Sequence, residues 1–154
     1  MNATIDRAMN SYAKVDVEVG VMSASPQALV VMLYDGAIKA IARARSEMLR
    51  KDFAAKGEQL SKAIGIIDEG LKAALDLKAG GEIAANLAAL YDYMTRQLML
   101  ANIRNEVDAL DEVSRLLREL KGAWESLISM QAGRAQAQGE AAPPTRSAAS
   151  YGKA

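Results

Sequence analysis

The side chains that perform most acid–base, nucleophilic and metal chemistry in proteins are scarce in this chain of 154 residues. It contains no histidine and no cysteine, so the usual proton shuttle and the soft metal ligands are absent. A di-metal carboxylate bundle would need Glu-x-x-His pairs, and a serine nucleophile would need a neighbouring base. Gly80-Gly81 lacks the spacing and the lysine of a phosphate-binding loop. We therefore expect no enzyme activity, no metal site and no cofactor.

Two carboxylates are candidates for an acid–base pair, because Asp35 and Asp92 each follow a Leu-Tyr pair. A general acid and base would need a shared cleft and shifted pKa values, and the sequence offers no sign of either. We expect these two aspartates to form ion pairs on helix surfaces or hydrogen bonds between helices.

The elements that would position these residues are helices, since apolar residues recur at helical spacing along most of the chain. Ser25 followed by Pro26 is a typical helix start, and Asp52 and Asn105 are expected to cap the second and fourth helices. The first three predicted helices cover 25–50, 53–77 and 80–104. Tight connections between helices of similar length predict an all-α, antiparallel up-down four-helix bundle.

We divide the chain into three parts. Residues 1–24 form an N-terminal segment with a short helical stretch and then valines alternating with other residues, 25–130 form the bundle, and 131–154 form a tail. The tail is rich in Ala, Gly, Ser and Gln and is predicted to be disordered. The N-terminal segment is predicted to cover an apolar groove, either as a movable cap or as a permanently docked arm.

Charge and hydropathy exclude other classes of function. Lys plus Arg equals Asp plus Glu at 19 each, so a basic surface for nucleic acid is not expected. No apolar run reaches the roughly 18 residues of a membrane span, and the N-terminus lacks the apolar region of a signal peptide. We expect a cytoplasmic protein that does not insert into membranes.

Three of the predicted helices carry a second apolar line beside the stripe that would face the core. These lines are Val31, Ile38, Ala42 and Leu49; Ile66, Ala73 and Leu77; and Ala89, Tyr93 and Leu100. Because a helix in a small soluble domain needs only one buried stripe, a second line contacts either another helix or a partner. Eight methionines also favour an adaptable binding surface.

This additional apolar surface predicts that the protein binds a helix of a partner protein in an apolar groove. The residues nominated for the groove are Ile66, Ala73, Leu77, Tyr93 and Leu100. The alternative is a non-catalytic helical adaptor, or a homodimer whose second lines pack on each other.

Four segments and the N-terminal tyrosine carry a resemblance to a known family. The segments are SASPQALVVMLYDGAIKAI (23–41), SKAIGIIDEGLKAALD (61–76), GGEIAANLAALYDYMTRQLMLAN (80–102) and EVSRLLRELKGAWESL (112–127). They resemble the flagellar secretion chaperones of the FliS family, as does Tyr12 followed by Ala13-Lys14-Val15. The resemblance covers about residues 9–128.

The resemblance implies a helical-bundle chaperone that binds the disordered C-terminal segment of flagellin in the cytoplasm. Such a chaperone prevents premature polymerisation and helps deliver flagellin to the flagellar type III export apparatus. It implies contacts with components of the export gate, and in some bacteria with other flagellar regulators. Carried over to this chain, Met9 and Tyr12, with Val15 in the following segment, would form a cap over the groove until flagellin arrives.

Overall fold

The protein is described by a computed structural model that covers residues 25–149, with side chains described through residue 137. Four α-helices follow one another along the described chain: α1 (Pro26–Leu49), α2 (Phe53–Gly65), α3 (Leu77–Arg104) and α4 (Val107–Ala149). A π-helical segment, Ile66–Lys72, continues α2. No strand occurs among these residues, so the prediction of an all-α fold is confirmed. The predicted cap residues Met9, Tyr12 and Val15 lie outside the described residues.

The starts of α1 and α2 agree with the sequence signals. The Ser25 hydroxyl accepts a hydrogen bond from the Ala28 N–H at 3.2 Å, and Pro26 occupies the first turn. The Asp52 carboxylate accepts from the Ala55 N–H at 3.3 Å. Each cap satisfies one amide that the first turn of a helix leaves without an intrahelical partner.

The second helix departs from the prediction of one α-helix over 53–77. It changes to π-helix at Ile66 and ends at Lys72. Within the π segment Gly70 is buried, and a Cβ atom there would lie 3.2 Å from Leu33 Cδ1. Glycine therefore permits a close approach to α1 at this position.

The third helix begins earlier than predicted, at Leu77 instead of Gly80. Asp76 caps it, because its carboxylate accepts from the N–H groups of Lys78 and Ala79 at 3.1 and 3.0 Å. The Gly80-Gly81 pair interrupts the helix, since Gly81 has φ 56° and ψ −130° and introduces a kink. Glycine is the residue that adopts this backbone conformation without steric strain.

Asn105 ends α3 and does not cap α4, which begins at Val107. It takes the left-handed conformation, with φ 54° and ψ 49°, and its N–H donates to the Ala101 carbonyl. Asparagine tolerates this conformation better than most residues, and it is a common helix terminator for that reason. Short connections of this kind make successive helices run antiparallel.

The core is made of one stripe from each helix. Its buried apolar members include Leu33, Ala37, Ile41, Ala44 and Met48 of α1; Leu60, Ile66, Ile67 and Leu71 of α2 and the π segment; Met94, Leu98 and Ala101 of α3; and Leu110, Val113 and Leu117 of α4. Phe53 of α2 and Ile83 of α3 are exposed.

The two Leu-Tyr-Asp sequences meet in the core through their tyrosines. Tyr34 and Tyr91 are both buried, and their hydroxyl groups hydrogen-bond at 2.5 Å. Burial raises the pKa of Tyr91, and the neighbouring Tyr34 adds to that shift. Asp35 pairs with Lys39 and Lys121, each at 3.2 Å, and Asp92 pairs with Lys72 at 2.7 Å. The prediction of ion pairs for both aspartates is confirmed.

The fourth helix runs to Ala149, whereas the sequence predicted a disordered tail from residue 131. Alanine and glutamine are frequent after Met130, and both favour the helical backbone even without an apolar face. The side chains of residues 131–137 are all exposed. By its internal contacts the chain divides into two units, Met1–Lys121 and Gly122–Ala154, so the boundary lies inside α4. Within residues 25–149, no helix combines the length and the apolar character that crossing a membrane requires.

Candidate partner-binding surface

Helix α3 exposes apolar side chains on the side opposite its buried stripe. We call this surface the outer face of α3, and its residues are Ala85, Ala89, Met99, Leu100 and Ile103. Leu100 is 36% exposed and Ile103 is 76% exposed. The buried stripe, by contrast, contains Tyr91, Met94 and Leu98.

The geometry of the α-helix produces this arrangement. Successive residues turn by about 100°, so residues two apart, such as Leu98 and Leu100, point in nearly opposite directions. Once Leu98 enters the core, Leu100 must face away from it. An apolar patch that folding leaves exposed in this way is a candidate surface for interaction.

The border of the outer face toward α4 is polar and acidic. Tyr93 is half-buried there, and its hydroxyl donates to both carboxylate oxygens of Glu112 at 2.9 Å. The Glu112 carboxylate raises the pKa of Tyr93 through this hydrogen bond. Beside this pair lies a cavity of about 660 Å³, lined by Gln97, Glu106, Val107, Asp108, Ala109 and Glu112. The surface therefore combines apolar residues with a carboxylate-rich border.

The structure places the five nominated groove residues in different surroundings. Tyr93 and Leu100 lie on α3 two helical turns apart, at the border and on the outer face. Ile66 is 1% exposed and belongs to the core, and Ala73 is half-buried just after the π segment. Leu77 is 59% exposed but begins α3, roughly 35 Å along the helix from Leu100 at 1.5 Å per residue. The structure thus groups two of the five on one surface.

The π segment explains why the line Ile66, Ala73 and Leu77 does not form one face. That line assumed a continuous helix with 3.6 residues per turn, but the i→i+5 hydrogen bonds of a π-helix change the angle between successive side chains. The chain also leaves the helix before Leu77. On α1 the second line is exposed at Ala42 and Leu49, while Ile38 is buried.

Sequence reasoning missed Met99 and Ile103 as members of the exposed surface. Ile103 was detectable, because it continues the line of Ala89, Tyr93 and Leu100 by one further step of three residues. Met99 lies beside Leu100, and only the observed orientation of α3 shows that it is exposed.

The sequence that forms this surface is similar to that of a known protein family. The family model described as "Flagellar protein FliS" matches residues 8–132. The chain belongs to the FliS family. The flagellar secretion chaperone FliS of Salmonella typhimurium (strain LT2) is 55% identical over 119 residues, which cover 77% of this chain and 88% of that relative. The protein of the same name from Escherichia coli (strain K12) is 49% identical over 77% of this chain and 88% of its own length.

A more distant FliS protein also matches most of the chain. The flagellar secretion chaperone FliS of Bacillus subtilis (strain 168) is 36% identical over 111 residues, or 72% of this chain and 81% of that relative. The match to the family thus spans the described surface on α3 and the N-terminal part of α4.

Proposed function

We propose that this protein is a cytoplasmic chaperone of flagellar secretion that binds the C-terminal segment of flagellin. Membership of the FliS family supports a chaperone role. The observation that carries the flagellin proposal is the outer face of α3, where Leu100 and Ile103 are exposed although the same helix already supplies a complete buried stripe. A chaperone needs such a surface, and a bundle that only has to fold does not.

The physical basis is the exchange of one apolar contact for another. An amphipathic client segment must bury its apolar side, and each square ångström of apolar surface removed from water stabilises the complex by about 25 cal/mol. The cost of ordering a disordered segment offsets part of this gain. Bound to the chaperone, the segment cannot assemble prematurely, and release at the export apparatus makes it available again.

The N-terminal cap stays part of this proposal. Met9, Tyr12 and Val15 would cover the binding surface in the free protein and leave it when flagellin binds. A cap that must be displaced lowers the apparent affinity by the fraction of molecules in the open state. Tyr12→Ala should therefore bind flagellin more tightly than the wild type, and unchanged affinity would argue against the cap.

Calorimetric titration with a peptide of the last ~40 residues of the flagellin from the same organism tests the main proposal, a length matched to the span of these helices. We expect one peptide per chain and a negative heat-capacity change, which indicates apolar burial. An intact bundle that binds no peptide would contradict the proposal. A mass that rises with protein concentration in the absence of flagellin would favour the homodimer alternative.

Two isoleucines of α3 provide a matched pair of variants. Ile103 lies on the outer face, whereas Ile83, equally exposed near the start of the helix, lies away from it. Because burying an isoleucine contributes about 1.5–3 kcal/mol, Ile103→Ser should weaken peptide binding roughly tenfold or more. Ile83→Ser should leave the affinity unchanged. Equal effects of both changes would show that binding does not involve this face.

A further inference from the structure

One charged residue lies among the apolar residues of the outer face of α3. Arg96 is exposed and stands seven residues after Ala89 and seven before Ile103, and Leu100 follows it by four. Residues seven apart differ by about 20° around the axis of an α-helix, and residues four apart differ by about 40°. Arg96 is therefore in the middle of this face and not at its edge.

Arg96 makes no hydrogen bond or ion pair with any residue that the structure describes. Two carboxylates in its neighbourhood have other partners. Asp92, one helical turn earlier, pairs with Lys72 at 2.7 Å, and Glu112 accepts the hydrogen bond of Tyr93. The guanidinium of Arg96 is therefore available to a group that comes from outside the bundle.

A partner that covers this face changes the surroundings of Arg96. A segment that contacts Ala89 on one side of it and Ile103 on the other removes water from the position between them. A charged group that loses water is costly unless it gains an opposite charge. The same apolar surroundings strengthen an ion pair that does form there. The group that matches the planar fork of a guanidinium is a carboxylate.

A second copy of this chain is poorly suited to this face. Ala89, Arg96 and Ile103 are evenly spaced, so an antiparallel two-fold pairing that matches each small Ala89 with the larger Ile103 brings the two Arg96 side chains together. Like charges repel, and they do so more strongly where water is excluded. The face is better matched to a segment that contributes a carboxylate.

The carboxylate belongs to a residue inside that segment and not to its C-terminus. Apolar residues of the outer face lie on both sides of Arg96 along α3. A segment that buries all of them must pass across Arg96. A segment that ended at Arg96 would leave either Ala89 or Ile103 uncovered.

We propose that Arg96 pairs with a glutamate or aspartate side chain of the client segment and thereby fixes the position of that segment along α3. This inference rests on the proposed function, because it takes the flagellin segment as the occupant. Apolar contacts are not directional, so they allow the segment to shift along the face. An ion pair in the middle of the face selects one register.

The test compares Arg96 with an arginine on another surface. Arg118 of α4 is also exposed and also makes no hydrogen bond or ion pair within the described residues, but it lies beside Ile41 and Ala42 of α1. With the same flagellin peptide, Arg96→Gln should weaken binding roughly five- to tenfold. Added salt should weaken the binding of this variant less than that of the wild type. Arg118→Gln should change the affinity by less than about twofold.

Substitutions in the peptide identify the acidic residue. Each Glu→Gln or Asp→Asn change is titrated against the wild type and against Arg96→Gln. The residue that pairs with Arg96 is the one whose substitution weakens binding to the wild type and has no further effect on the variant. A lysine at that peptide position should bind Arg96→Glu more tightly than it binds the wild type.

The possible results separate this inference from the proposed function. If the wild type binds the peptide and Arg96→Gln behaves like Arg118→Gln, the inference is overturned and the proposed function stands. Tighter binding by Arg96→Gln would also overturn it, since Arg96 would then hold a carboxylate of the N-terminal segment. If amidation of the peptide C-terminus alone reproduces the loss, the side-chain assignment is overturned.

Two further results concern the occupant itself. A dimer that the peptide does not dissociate would mean that a second copy covers the face, and it would overturn the inference. If the folded wild type binds no peptide, the proposed function fails, and the inference fails with it.

Discussion

The two faces of α3 contain similar apolar residues but differ in burial. Leu98 and Leu100 are chemically identical and two positions apart, yet one is fully buried and the other is partly exposed. Hydropathy alone does not separate them, because their angle around the helix axis decides which one enters the core. An apolar residue on the outer face contributes little to folding, and it is therefore available for binding.

Truncation of each leucine should separate the two faces most clearly by their contribution to stability. Leu98→Ala should lower the free energy of unfolding by about 2–5 kcal/mol, because it leaves a cavity in a packed interior. Leu100→Ala should change it by no more than about 0.5 kcal/mol. Urea denaturation followed by circular dichroism measures both. Similar losses for the two variants would mean that the outer face also supports the fold.

The C-terminal end of α3, which both faces share, depends on a buried lysine. Lys56 of α2 is 4% exposed, and its ammonium donates to the Asn102 carbonyl at 2.9 Å and to Asn105 Oδ1 at 2.7 Å. Lys56→Met would fill the same space but would leave both acceptors without this donor, so we expect a loss of about 1–3 kcal/mol. Lys78→Met, at an exposed position, serves as the control in the same denaturation experiment. Equal stability of the two variants would exclude a structural role for Lys56.

Two tyrosines of α3 differ in what their hydroxyl groups contribute to stability. Tyr91→Phe removes a buried hydrogen bond with Tyr34 and should cost about 1 kcal/mol. Tyr93→Phe removes a hydrogen bond to Glu112 at the partly exposed border and should cost less than about 0.5 kcal/mol. Thermal unfolding of the two variants beside the wild type tests the order, and the reverse order would contradict it.

The smallest expected effect concerns Asp35, the partly exposed neighbour of buried Tyr34. Burial acts to raise the pKa of Asp35, but the hydrogen bonds and charges of Lys121 and Lys39 outweigh it, so its pKa lies below the ordinary value of 3.8. Stabilisation from a lowered carboxylate pKa is complete above the ordinary pKa and is lost as pH falls through the folded-state pKa.

Asp35→Asn should therefore reduce the stability by about 0.5 kcal/mol or less near neutral pH, since the carboxylate is 40% exposed. The difference from the wild type should shrink as the pH falls through the lowered pKa of Asp35 in the folded state. Urea titrations at several pH values test this. A difference that persists at the acidic end would mean that the ion pairs are not its source.

Local chemistry made several parts of the fold predictable. Ser25 and Asp52 are caps whose side chains act within three residues of the chain, and such short-range interactions are visible in the sequence. The core stripes were also predictable, because a helix repeats its geometry. Asn105 was harder, since asparagine is suited both to begin a helix and to end one.

The remaining features depend on contacts between helices, which no single helical pattern contains. The π segment beginning at Ile66 has no clear local signal, and Ile66 itself lies in the core instead of on the predicted surface. The Arg45–Asp111 pair requires a particular register between α1 and α4, so it could not be predicted from spacing. Leu100 was predictable because its exposure follows from the angle to its own helix's buried stripe.

The Lys56 contacts also have a consequence for how the bundle opens. These hydrogen bonds connect the beginning of α2 to the turn that ends α3. At the other end of α3, the kink at Gly81 interrupts the helical conformation. Amide hydrogens near Ala101 should therefore exchange with solvent only when the whole bundle unfolds, and those just after Gly81 should exchange through local fraying. Hydrogen–deuterium exchange would thus show local opening of α3 near Gly81 and protection at its C-terminal end, which contains Leu100 and Ile103.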